Sequence, residues 1–156
     1  MEQKERFQLL LRQTDIPEEY RSQYFAEGRI ERLELSRQNK KWTFFIRLKQ
    51  LLPALVFRAF IQRLQSTFAH IATVDCYISY TQEINWELFL GEYWTYLVEG
   101  MLAEQLAGTF SLQGKAPYLE NGKAMITVSN EIELSMMRKK EIDKLLSGAT
   151  FKLTGE

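Results

Sequence analysis

Between Trp42 and Tyr80 the spacing of apolar residues changes twice, and this change restricts the architecture more than any other feature. Trp42, Phe44, Ile46 and Leu48 alternate with Thr43, Phe45 and Arg47, the period of a strand with one buried face. Pro53 then opens a run in which Phe57, Phe60, Ile61, Leu64 and Phe68 recur at helical spacing, with Arg58, Gln62 and Gln65 on the other side. Alternation returns in Ala72, Val74, Cys76, Ile78 and Tyr80, opposed by Thr73, Asp75 and Ser79. Such a succession hides its apolar faces when the helix lies across the sheet.

The flanking residues extend this unit. Arg29–Leu35 reads as a strand joined to Trp42–Leu48 through a turn at 36–40. Ahead of it, Phe7, Leu10 and Leu11 form the apolar stripe of a helix over Glu2–Gln13. Thr14-Asp15-Ile16-Pro17 reads as a stop and a restart, with Asp15 as cap and Pro17 in the first turn of a short helix ending near Gly28.

Polar Thr81–Asn85 marks the expected boundary between residues 1–81 and a second module, 82–156. The latter opens with a helix over about Trp86–Leu106, apolar at Leu90, Tyr93, Trp94, Leu97 and Met101 and broadened by Phe89, Tyr96 and Val98. Asn121-Gly122 between Ala116–Glu120 and Lys123–Val128 is a strong hairpin signal, because this pair accepts the positive φ of a tight turn. Asn130 and Glu133 resemble a capping box for a helix from Glu131 carrying Leu134, Met137, Ile142 and Leu145, and Ala149–Leu153 reads as a last strand. The expected class is α+β: two small modules, each with helices on a short mixed or antiparallel sheet.

Formal net charge is zero, but its distribution is uneven. Segment 29–63 carries nine basic residues against Glu31 and Glu34, whereas segment 81–107 carries five glutamates and neither Lys nor Arg. On the hairpin, Lys41, Phe45, Arg47 and Lys49 share one strand face or its extension, and Arg29 and Arg32 lie on the neighbouring strand. Basic groups interleaved with an aromatic can hold phosphates and stack a base. They can equally form a protein-docking surface or a solvated face, with Phe45 under the N-terminal helices. Arg29, Arg32, Lys41, Phe45, Arg47 and Lys49 are therefore the candidate binding face.

Catalytic chemistry finds little support. One His and one Cys do not make a zinc site, and the three aspartates, Asp15, Asp75 and Asp143, fall in separate elements. Neither G-x-x-x-x-G-K-[ST] nor G-x-G-x-x-G occurs. His70 ends a helix, where the dipole favours an imidazolium, and Cys76 reads as a small core residue. Metal, cofactor and small-molecule ligand are not expected. Cys76 has no intrachain disulfide partner, the start is charged, and no apolar run is long enough to span a bilayer, so a cytoplasmic protein is expected.

Several stretches, in order, resemble the N-terminal region of PolC-type DNA polymerase III alpha subunits of low-GC Gram-positive bacteria. They are Phe7-Gln8-Leu9-Leu10, Trp42-Thr43-Phe44, Leu51-Leu52-Pro53, Phe68-Ala69-His70-Ile71-Ala72-x-Val74, Tyr93-Trp94, and Gly122-Lys123 followed by Val128-Ser129-Asn130-Glu131-Ile132-Glu133. The resemblance implies two small non-catalytic domains ahead of the OB-fold, PHP, exonuclease and polymerase regions. It likens the first to the alpha-binding domain of the clamp-loader tau subunit and the second to a type II KH fold, here without the G-x-x-G loop of ordinary KH domains. It further implies an accessory role in DNA replication, docking replisome proteins such as clamp-loader tau or guiding single-stranded template. The alternative is a standalone nucleic-acid-binding adaptor using the basic hairpin 29–49.

Overall fold

The computed structural model describes residues 3–103, 117–121, 123–126, 131, 135 and 142–156. It is an α+β chain of two compact units: Met1–Ile84 together with Phe151–Glu156, and Asn85–Thr150.

In the first unit the elements are α1 (Gln3–Gln13), α2 (Glu18–Gln23), β1 (Arg29–Ser36), β2 (Lys41–Leu48), α3 (Ala54–Phe68) and β3 (Thr73–Tyr80). The sheet runs β1-β2-β3. β1 and β2 form an antiparallel hairpin, from Arg29 opposite Arg47 to Ser36 opposite Lys41, with a bulge between Ile30 and Arg32. β3 is parallel to β2, Lys41 beside Thr73 through Leu48 beside Tyr80. A parallel neighbour needs a long crossover, and α3 supplies it.

The inner face of the sheet carries Phe44, Ile46 and Leu48 from β2 and Val74, Cys76, Ile78 and Tyr80 from β3, all buried. Phe57, Phe60 and Leu64 of α3 and Phe7, Leu10 and Leu11 of α1 complete the core. Phe7, Phe25 and Phe60 form a triangle, with centroids 6.0, 6.4 and 5.2 Å apart and two of the three contacts edge-to-face. Gly28 passes so close that a Cβ would sit 2.3 Å from the Phe7 ring.

Asp15 does not cap α2, contrary to the sequence expectation. It terminates α1 at φ 58, a left-handed position that Asp tolerates, while the Asp15 and Ile16 amides donate to the carbonyls of Arg12 and Leu11. Pro17 is the residue before α2, and no side chain caps that helix.

The fully buried Cys76 thiol is pushed far above its usual range by desolvation, then by neighbouring Asp75, against an opposing pull from Lys152. A thiol held neutral and buried is a poor nucleophile. Labelling of Cys76 by an aromatic disulfide reagent is therefore expected to follow unfolding; rapid stoichiometric labelling of the folded chain would show the site to be open.

The second unit contains α4 (Trp86–Ala103), with Phe89, Tyr93, Leu97 and Val98 buried, and the hairpin β4 (Tyr118–Glu120) and β5 (Lys123–Met125). Glu120 faces Lys123 across a two-residue turn, and Asn121 has φ 52, as its Asn-Gly signal requires. The Asn130/Glu133 capping box and Leu134 and Met137 lie outside the described residues.

The expected strand Ala149–Leu153 is instead helical, inside α5 (Ile142–Thr154). Leu146, Ala149 and Leu153 recur at helical spacing, and Leu153 is buried. Gly148 is accommodated within the helix with no neighbour within 4 Å of an added Cβ. Gly155, at φ +79, ends the helix and donates its amide to the Phe151 carbonyl.

Candidate functional site

The pleat turns one row of each strand away from the core. Register places Arg29 opposite Arg47, Arg32 opposite Phe45, Glu34 opposite Thr43 and Ser36 opposite Lys41, with Thr73, Asp75, Tyr77 and Ser79 alongside on β3. Side chains paired in this way point to the same face. Arg29, Arg32, Lys41, Phe45 and Arg47 therefore share the outer face of the first unit, and Lys49 lies just past the end of β2.

Phe45 is at the centre of this face. The Arg32 guanidinium carbon sits 3.8 Å from its ring centroid. Tyr77 stacks against it at 5.2 Å with planes 23° apart. Arg32 and Tyr77 come from strands on opposite sides of β2, so they take opposite faces of the Phe45 ring. The row continues through Phe151 of α5, edge-on to Tyr77 at 6.2 Å. Lys152 binds Asp75, and Gly155 approaches Ser79 so closely that a Cβ would lie 2.8 Å from its side chain. The last turn of α5 thus covers the β3 side of the face. Helix α1, by contrast, buries Phe7, Leu10 and Leu11 in the core and does not cover Phe45.

The cations of the face are answered by carboxylates. Arg29 and Arg47 share Glu31 at 3.6 and 3.9 Å, and Arg32 meets Glu34 at 3.1 Å. Lys41 reaches Asp75 at 3.7 Å, and Lys49 reaches Glu27 at 3.3 Å. Each such exposed pair contributes roughly 0–1 kcal/mol. Their larger effect is on the surface potential, because the excess of positive charge in segment 29–63 is offset locally. Two of the compensating acids, Glu27 and Asp75, lie outside that segment and reach it through register and the turn before β1.

Chemically, the face is a mixed-charge, hydrogen-bonding surface around a filled aromatic row. Among the described residues no three His, Cys, Asp or Glu side chains converge as a metal would require, and no helix is long and apolar enough to cross a membrane.

Comparison with known proteins shows the family. The family described as DNA polymerase III polC-type N-terminus I matches residues 6–78, which hold the whole hairpin and α3. A DNA polymerase III PolC-type protein of Halalkalibacterium halodurans is 30% identical over 141 residues, 90% of this chain and 10% of that protein. The Bacillus cereus protein of the same name is 30% identical over 88% of the chain and 10% of its own length. That of Bacillus subtilis is 27% identical over 86% of the chain and 9% of its own length. No solved structure matches. The chain spans about a tenth of the curated relatives it matches. It belongs to the PolC-type DNA polymerase III family, as the N-terminal region of such a protein.

Proposed function

We propose that this region is a non-catalytic docking module of a replicative DNA polymerase, one that holds the enzyme to another replisome protein such as clamp-loader tau. The observation that carries the reading is the outer face of the first unit, where each cation has a carboxylate neighbour and Phe45 is enclosed by Arg32 and Tyr77. A phosphate track needs uncompensated cations, and a base-stacking platform needs an open ring face. Protein surfaces instead recognise alternating charges, which fix register and suppress wrong partners. On this reading the catalytic residues belong to the rest of the polymerase, the module needs no cofactor, and it works in the cytoplasm.

The test compares the unmutated chain with a Lys41→Ala, Arg47→Ala, Lys49→Ala triple variant and with Phe45→Ala. Binding to clamp-loader tau and to oligo-dT is measured at two salt concentrations. Docking predicts tau binding that weakens in the triple variant, with no measurable oligo-dT affinity. Oligo-dT binding that falls steeply with salt and disappears in both folded variants would replace docking by template guiding.

A further inference from the structure

Strand β1 is at an edge of its sheet, and among the described residues no strand pairs with its outer side. Its residues from Glu31 to Leu35 are exposed. Leu33 and Leu35 stand on the core-facing side, opposite Phe44 and Trp42, yet remain 41% and 59% exposed. Trp42 and Phe68, in contact at 5.2 Å, are only half-buried and extend this apolar rim. An exposed edge with apolar side chains is a template for a further strand.

Edges are guarded against pairing by proline, by bulges and by charged side chains, most often lysine, and β1 has such a bulge only at its start, between Ile30 and Arg32. β1 carries Arg32 and Glu34 on either side of Leu33, two opposite charges on one face. In an antiparallel pair the partners lie on the same face, and a one-residue slip would set apolar against polar faces. Centring two copies on Leu33 brings Leu33 against Leu33, Arg32 against Glu34 of the second copy, and Glu34 against its Arg32. Centring them on Glu34 instead opposes two like charges. The strand's own sequence therefore favours one register with a copy of itself.

We infer that β1 is a self-association strand, joining two copies of this chain through antiparallel pairing centred on Leu33. The two sheets become one, Arg32 and Glu34 form an alternating square of charge, and the two Leu33 side chains meet at its centre. Leu35 and Ser36 face the bulged segment of the other copy, so regular pairing in both copies spans Arg32–Glu34 and the association is short and concentration-dependent. This inference concerns the strand edge, but it shares Arg32 and Glu34 with the outer face of the docking reading, so the variant at Leu33, which is on the other face, separates the two.

Sedimentation equilibrium of the 156-residue chain over a range of concentrations tests it. The unmutated chain is expected to move from the mass of one copy towards that of two. Arg32→Glu and Glu34→Arg should each weaken association by on the order of tenfold, since like charges then oppose across the strands. An equimolar mixture of these two variants should recover it, because the doubly acidic strand of one then faces the doubly basic strand of the other. Leu33→Lys sets two lysines against each other at the centre of the pairing and should weaken association while circular dichroism shows the variant folded. A single-copy mass at every concentration would overturn the inference. So would unchanged association in the single reversals, or a mixture that stays monomeric while circular dichroism shows both variants folded.

Discussion

Replacing Phe60 with alanine is expected to remove about 3–5 kcal/mol of stability from the first unit. Phe60 is fully buried and is the member of the aromatic triangle that α3 supplies. Its ring lies 5.2 Å from Phe25 and 6.4 Å from Phe7. Both neighbours are themselves fully buried, Phe7 on α1 and Phe25 in the turn before β1, so they are poorly placed to collapse into the space left. Small domains have only roughly 5–15 kcal/mol in total, so the loss is a large fraction of the whole. Urea titration followed by far-ultraviolet circular dichroism measures the loss. Leu55→Ala is the control: Leu55 is on the same helix but 73% exposed, and its truncation should move the midpoint little. Equal effects at both positions would mean that α3 does not present Phe60 to the core.

The second large effect is expected from a single added methyl. In Gly28→Ala the new Cβ would lie 2.3 Å from Cε2 and 2.8 Å from Cδ2 of Phe7, and 2.8 Å from Cδ2 of Leu48. Leu48 can turn its methyl aside, but the Phe7 ring is held edge-on between Phe25 and Phe60 and has nowhere to retreat. Overpacking of this kind costs about 1–3 kcal/mol. The result should appear as a lower melting temperature with an unchanged circular dichroism spectrum. Gly91→Ala makes a useful contrast. Gly91 is helical with open space around it, so replacing glycine with a better helix former should be neutral or slightly stabilising. An undisturbed melting temperature in Gly28→Ala would mean that the Phe7 ring is free to move.

The first unit is legible in the sequence because its periods are clean. Trp42–Leu48 and Val74–Tyr80 have an unbroken two-residue alternation, and Phe57, Phe60 and Leu64 keep helical spacing. What alternation does not encode is direction. Nothing in Val74–Tyr80 distinguishes a parallel from an antiparallel neighbour; the length of the α3 crossover decides it. Asp15 misleads because Asp serves both as a cap before a helix and as a left-handed residue after one. Ala149–Leu153 misleads because Thr150 and Phe151 suit strands. The helix holds because Leu146 and Leu153 continue its apolar stripe through that segment.

The candidate face is legible as a set of neighbours but not as an electrostatic surface. Period two correctly places Lys41, Phe45 and Arg47 on one side of β2. Counting charge within a window of sequence leaves out acids brought in from elsewhere, here Glu27 ahead of the window and Asp75 on β3. Nor can the window show that Arg32 and Tyr77 enclose Phe45, because both contacts run across strands. A cross-strand register, once guessed, supplies Arg32 opposite Phe45, which is the one part of this enclosure recoverable from the hairpin itself.

The return of Phe151–Glu156 to the first unit sets an order on synthesis. A ribosome releases β1, β2, α3 and β3 long before it releases the residues that cover Tyr77 and Asp75. In between, all of Asn85–Thr150 must emerge, and at roughly 5–20 residues per second this takes several seconds. During that interval the aromatic row of the nascent sheet ends bare at Tyr77, and Asp75 has Lys41 near it but lacks Lys152. A factor that reads nascent chains would meet this face in a form that the finished protein no longer displays.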